Sequence, residues 1–167
     1  MKQSAWVLAL AAAGCAVDQP LTADEFRQKL PGSFMGKLQT FEVNRPVREV
    51  AKTFQARAPE CLSVRVQTIS QTSGSYQNLV AKYTPTVIVN DKRAELHVQR
   101  KWERGVISPG KEPEAGHYML VADATPIDRS RTRIDIYGPS RGSDTMIGAI
   151  TAWASGKSQG CPDLTKG

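Results

Sequence analysis

Between Leu62 and Tyr137 the chain alternates apolar and polar residues with a period of two, run after run, and turn sequences close the runs. That period suits strands that give one face to a core, so the stretch predicts an antiparallel sheet. Leu62–Ser70 sets Leu62, Val64, Val66 and Thr68 on one face, with Arg65 and Gln67 on the other. Thr72-Ser73-Gly74-Ser75 reads as a turn. In the run Leu79–Val89, Pro85 lacks the N–H that a central strand donates and belongs at an edge or a bulge. Asn90-Asp91 is a hairpin signal leading into Arg93–Glu103. There Ala94, Leu96, Val98 and Trp102 oppose Glu95, His97, Gln99 and Lys101. The glycines and prolines of 104–116 predict a loop, and Tyr118–Thr125 and Thr132–Tyr137 complete the sheet.

Helical patterns flank these runs. Thr22-Ala23-Asp24-Glu25 is a capping box and starts a short helix through Lys29, which Pro31-Gly32 stops. Lys37–Val43 alternates as a strand. Pro46 then opens a helix in which Val47, Val50, Ala51, Phe54 and Ala58 form one apolar stripe, with Pro59 as its expected end. Ser143 is the expected cap of a last helix carrying Met146, Ile150 and Trp153 on one stripe, with Gly156 as its stop. These elements give an α+β fold. An antiparallel sheet of about five or six strands is packed by an early helix and a C-terminal helix. The organisation reads as a leader at 1–14, a tether with a short helix at 15–36, and one α+β domain at 37–167.

The 167 residues carry 22 Lys and Arg, 16 Asp and Glu, and 40% hydrophobic residues. This composition excludes a disordered chain, a collagen-like repeat and a multi-span membrane protein. Residues 1–15, MKQSAWVLALAAAGC, combine a positive start with the uncharged run Ala5–Ala13, too short for a spanning helix and suited to the core of an export signal. Ala12-Ala13-Gly14-Cys15 resembles the lipobox of bacterial lipoproteins, although Ala12 stands where that family most often has Leu. The resemblance implies acylation of Cys15 and cleavage just before it. Ala16, rather than an Asp, then implies delivery to the periplasmic face of the outer membrane. Ordinary cleavage after Ala13 is the competing reading, since Ala11-Ala12-Ala13 also fits a small-residue cleavage site. With Cys15 taken by lipid, Cys61 and Cys161 form an even pair in an oxidising compartment, which predicts a disulfide; two buried thiols are the alternative.

The order strand, helix, meandering strands and terminal helix resembles the helix-grip topology of START-like lipid-transfer domains, polyketide cyclases and the domains of the outer-membrane assembly lipoprotein BamC. The resemblance covers about residues 37–160 and is one of topology. It implies a groove between the last helix and the sheet, which Trp102, Tyr118, Met146, Ile150 and Trp153 would line here. A packed core accounts for the same residues.

Catalytic material is sparse. His97 and His117 on neighbouring strands do not make a metal cage, and no cofactor motif is present. Gly138-Pro139-Ser140-Arg141-Gly142 has the ends of a nucleophile elbow, but Pro139 removes a backbone N–H just before Ser140. Asp123 interrupts an apolar run, either facing inward beside Arg100 or lying on the outer face of its strand. Arg129, Arg131 and Arg133 alternate in sequence and suggest a face for lipid phosphates or an acidic protein; a solvated face with Asp135 and Glu103 interleaved is the plainer reading. Nucleic acid does not fit the compartment. The expectation is therefore a non-catalytic, membrane-anchored envelope lipoprotein that binds or scaffolds an envelope component. The alternative is a carrier or sensor of a small hydrophobic ligand under the C-terminal helix.

Overall fold

A computed structural model describes residues 19–72, 75–105 and 112–165. The elements run α1 (Ala23–Lys29), β1 (Gly36–Val43), α2 (Val47–Leu62), β2 (Arg65–Thr72), β3 (Ser75–Val89), β4 (Ala94–Arg104), β5 (His117–Pro126), β6 (Thr132–Pro139) and α3 (Asp144–Ala154). The six strands make one open antiparallel sheet in the order β1-β6-β5-β4-β3-β2.

The inner face of the sheet carries the main core. Leu96, Val98, Leu120, Ala122, Ile134 and Ile136 are fully buried there, in one cluster with Val50, Phe54 and Leu62 of α2 and Ile150 and Trp153 of α3. The period-two runs supply one layer and the helical stripes the other. Truncating a buried aromatic such as Phe54 to Ala costs about 3–5 kcal/mol in a core of this kind. Cys61 is bonded to Cys161 with a Cα–Cα distance of 4.9 Å, joining the last turn of α2 to the segment after α3.

Pro59 does not end α2; the helix runs on to Leu62. The bond lost is the one to the carbonyl of Gln55, and both residues are exposed, so that carbonyl remains open to water while Cys61 and Leu62 are drawn into the core. Pro85 does lie at an edge. It pairs with Val98 of β4, whereas the β2 pairing of β3 goes no further than Lys82 opposite Arg65. Ser143 occupies the N-cap position of α3, but its hydroxyl donates to the Pro139 carbonyl at 2.8 Å and makes no cap bond to the helix.

Two positions depend on glycine. Gly116 has φ 82°, and a Cβ there would lie 2.4 Å from the Arg100 carbonyl oxygen, so only a bare backbone can begin β5 this close to β4. Gly156 has φ 75° and turns the chain out of α3. Arg45 finishes that helix end: its Nη1 donates to the carbonyls of Trp153 and Ala154, both at 3.0 Å, and its Nη2 to Thr53 Oγ1 at 3.1 Å. A fixed cation at a helix C-terminus satisfies carbonyls with no partner inside the helix.

Helix α1 packs on the opposite, outer face. Its Ala23 and Phe26 bury Val121 with Tyr118 and Tyr137 alongside. Thr22 caps it, accepting from the Glu25 N–H at 3.2 Å, and Glu25 Oε2 accepts in return from the Leu21 N–H at 2.9 Å. The expected box is thus present with its return bond one residue earlier.

Candidate functional site

The side chains of β4 to β6 that face α1 explain why this short helix stays in place. Glu95, Asp123 and Asp135 are direct cross-strand neighbours, and all three are buried. Carboxylates set abreast repel, and burial adds a desolvation cost, so the row requires cations. Arg27 of α1 supplies the central one. Its Nε and Nη2 donate to the two oxygens of Asp123 at 2.8 and 2.7 Å, Nη2 also reaches Glu95 Oε2, and Nη1 donates to Asp24 at 2.6 Å. Arg93 Nε donates to Glu95 Oε1 at 2.7 Å, and His97 Nε2 lies 2.9 Å from Glu95 Oε2. At the far end Asp135 accepts from Thr40 Oγ1 at 2.7 Å and from Arg133 Nε at 3.0 Å.

The charges answer each other. Burial pushes the Glu95 pKa up, but the His97 and Arg27 hydrogen bonds and the Arg27 and Arg93 charges outweigh it and hold it below 4.5. Burial likewise lowers that of Arg27, and Asp123 and Glu95 overcome this and raise it. Burial, then the charges of Asp123 and Asp135, raise the Tyr137 phenol above its ordinary value of 10.0. Asp123 therefore lies on the outer face of its strand, but beneath a helix, and its cation is Arg27 rather than Arg100. Arg100 instead lies over the Trp102 ring, 4.4 Å from the centroid.

A bulge in β5 decides where Tyr118 goes. Val98 pairs with Leu120 and Gln99 with Tyr118, leaving Met119 as the extra residue. Without it Tyr118 would share the inner face with Leu120; with it the ring turns outward, 5.9 Å from Phe26 and 5.8 Å from His97 by centroids. The five residues expected to line one groove are therefore divided. Met146, Ile150 and Trp153 are buried in the main core, whereas Trp102 and Tyr118 line a cleft at the end of the sheet where β5 begins.

That cleft has a volume of about 610 Å³ and takes its lining from both faces. Phe26, Leu30 and Met35 come from the α1 side, Val66, Leu79 and Tyr83 from β2 and β3, and Leu164 from the C-terminal segment. Arg100 and Arg141 are the charged residues of the described lining, which includes no carboxylate. Apolar walls with a few placed polar groups are the usual make-up of a small-molecule site. Arg100, held over the Trp102 ring, is a charge-assisted hydrogen-bond donor within this lining.

The remaining candidates fall apart from one another. Cys15, the leader before it and the tether through Asp18 lie outside the described residues, as do Ser73 and Gly74 of the expected turn and residues 106–111 of the expected loop. Arg129 and Arg131 are not on a strand face: they lie in the turn between β5 and β6, which the Asp128 carboxylate organises by accepting from the N–H groups of Ser130 and Arg131, both at 2.8 Å. Those backbone bonds and the Arg131 side chain hold Asp128 below the usual carboxylate range. Arg131 also lies 3.5 Å from Glu42. Arg133 alone of the three is in β6, paired with Asp135. His97 is engaged with Glu95 and pairs in register with Val121, while His117 stands opposite Arg100. Ser140 lies in the loop before α3 and donates its N–H to the Met35 carbonyl at 2.8 Å. Among the described residues no helix is long and apolar enough to cross a membrane. No protein-family model matches the chain, and neither does any curated protein sequence.

Arg27 is the residue that sequence reasoning passed over. It follows Phe26 on a helix too short to form alone, and its partners stand 68 and 96 residues away. The available signal was one acid within each of two largely apolar stretches, Glu95 in 94–98 and Asp123 in 120–124.

Proposed function

We propose that this chain is a non-catalytic, lipid-anchored envelope protein that binds an envelope component in the cleft at the end of its sheet. The bound component is an amphipathic molecule with an apolar body and an anionic end. The observation that carries this reading is the lining itself: aromatic and aliphatic walls, Arg100 and Arg141, and no carboxylate among the described residues. An apolar body removed from water gains roughly 25 cal/mol for each Å² buried, and an anion placed against a guanidinium gains a charge-assisted hydrogen bond. The anchor rests on the lipobox-like Ala12-Ala13-Gly14-Cys15, and an oxidising location agrees with the Cys61–Cys161 bridge. The resemblance to helix-grip carriers supports a ligand of this kind, with the binding space moved from beneath the last helix to the sheet's end.

Titration with a fluorescent fatty acid tests the reading. The unsubstituted chain is expected to bind it saturably. Trp102→Ala should remove most of that binding, and Arg100→Gln should weaken it by about tenfold, the loss of one charge-assisted hydrogen bond. Non-saturable uptake that ignores both substitutions would refute ligand binding in the cleft and return the protein to a scaffolding role.

A further inference from the structure

The antiparallel topology sorts the turns to two ends of the molecule. The α1–β1 turn, the β2–β3 hairpin end, the two ends of the β4–β5 connection and the β6–α3 loop lie at the end where the cleft opens. The β3–β4 and β5–β6 hairpin turns lie at the other. At the cleft end, Phe34 is fully exposed and Met35 more than half exposed, on a turn held to the next loop by the Ser140 N–H and the Met35 carbonyl. Across the cleft, β3 pairs with β4 only from Val80 onward, so residues 75–79 pair with β2 alone and extend as a two-stranded ribbon. Ile69 and Tyr76 are largely exposed on one face of it. Folding gains nothing from a bare phenylalanine at a turn tip.

Around Phe34 the charge is one-sided. Residues 26–41 and 136–143 contain no Asp or Glu, and Lys37 and Arg141 lie there, whereas the acids Glu103, Glu112 and Glu114 of this end belong to β4 and its connection to β5. Exposed Phe34 and Met35 with cations beside them in an acid-free stretch match the interface of an anionic bilayer, where the ring enters the acyl boundary and the cations meet phosphate.

We propose that the cleft end of the molecule is a membrane-docking surface, with Phe34 and Met35 inserted into an anionic phospholipid leaflet and the cleft opening onto it. This deepens the anchored reading and rests on it for one quantity, the reach of the tether. From Cys15 to Ala23 an extended chain spans at most roughly 27 Å. Helix α1, seven residues long, adds only about 10 Å between its start and the end that carries the Phe34 turn. The acylated residue can therefore remain in the same leaflet that Phe34 enters.

The experiment places Phe34→Trp in the full chain and adds vesicles of phosphatidylcholine and phosphatidylglycerol, with and without brominated acyl chains. Emission is read as the difference from the unsubstituted chain. The signal of the Phe34→Trp variant is expected to shift to the blue and lose most of its intensity on brominated lipid, while that of Ile88→Trp, at the opposite end, remains solvent-like. A Phe34→Trp chain that sediments with vesicles while its added indole stays solvent-like overturns the docking surface, and so does equal quenching of the Phe34→Trp and Ile88→Trp variants. Neither result touches the acyl anchor, which a mass measurement on Cys15 reads separately.

Discussion

Arg27 is the side chain on which the outer face of the sheet depends. It is the bidentate partner of Asp123 and also meets Glu95, and the side chains of all three are 12% exposed or less. Removing one partner of a buried charge group leaves the others desolvated and unpaired, at a cost of about 3 kcal/mol here. Arg27→Leu should therefore lower the melting temperature by roughly 6–12 °C, read by thermal unfolding at pH 7. A melting temperature unchanged by the substitution would mean that the acid row is held without Arg27. Glu95 gives the pH dependence. Its folded pKa lies below the ordinary value, so its contribution is complete above about pH 4.5 and disappears as the pH falls through the depressed folded value. Between pH 6 and pH 3 the unsubstituted chain should lose more stability than Glu95→Gln, and parallel loss in the two would contradict the assignment. Of this cluster the sequence showed that Asp123 broke an apolar run. It could not show the partner, because a salt bridge across 96 residues leaves no periodic trace.

The elements were legible where a period persisted and obscure where one residue changed it. The alternating runs of β2 to β6 and the stripes of α2 and α3 follow from side-chain spacing, and the structure places them where that spacing does. The extra residue Met119 reverses the parity of β5, and nothing in Tyr118-Met119-Leu120 marks it. Pro59 was a reasonable stop signal that a nearly finished helix could absorb on its wet side. Arg129 and Arg131 kept the spacing of a strand, but the hydrogen bonds of Asp128 made their stretch a turn. Arg45 makes a prediction at this scale. It joins the start of α2 to the end of α3, so Arg45→Met should cost about 1–2 kcal/mol and accelerate amide exchange at the end of α3. Unchanged exchange there would mean that Gly156 alone terminates the helix.

For the whole molecule, the disulfide joins α2 to the C-terminal segment across a sequence separation of 100. A loop of that size removes up to roughly 4–5 kcal/mol of chain entropy from the unfolded state. Cys61→Ser and reduction of the unsubstituted chain should lower the melting temperature by the same amount, and reductant should have no further effect on the variant. If reduction leaves the melting temperature unmoved, the bridge does not stabilise the fold. Cysteine parity made the pair readable in the sequence. The cleft was not readable as such: Trp102 and Tyr118 were expected in a groove beneath the last helix, and Arg100, Arg141 and Leu30 come from segments that no pattern connects.

Native mass spectrometry of the protein extracted from its own envelope reads the proposed anchor and the proposed ligand in one spectrum. The expected species begins at Cys15, carries acyl groups, is two hydrogens lighter than the reduced chain, and retains an amphipathic small molecule that Trp102→Ala releases. A chain beginning at Gly14 or Met1, without acyl mass and with no small molecule bound, would rule out both the acyl anchor and the ligand.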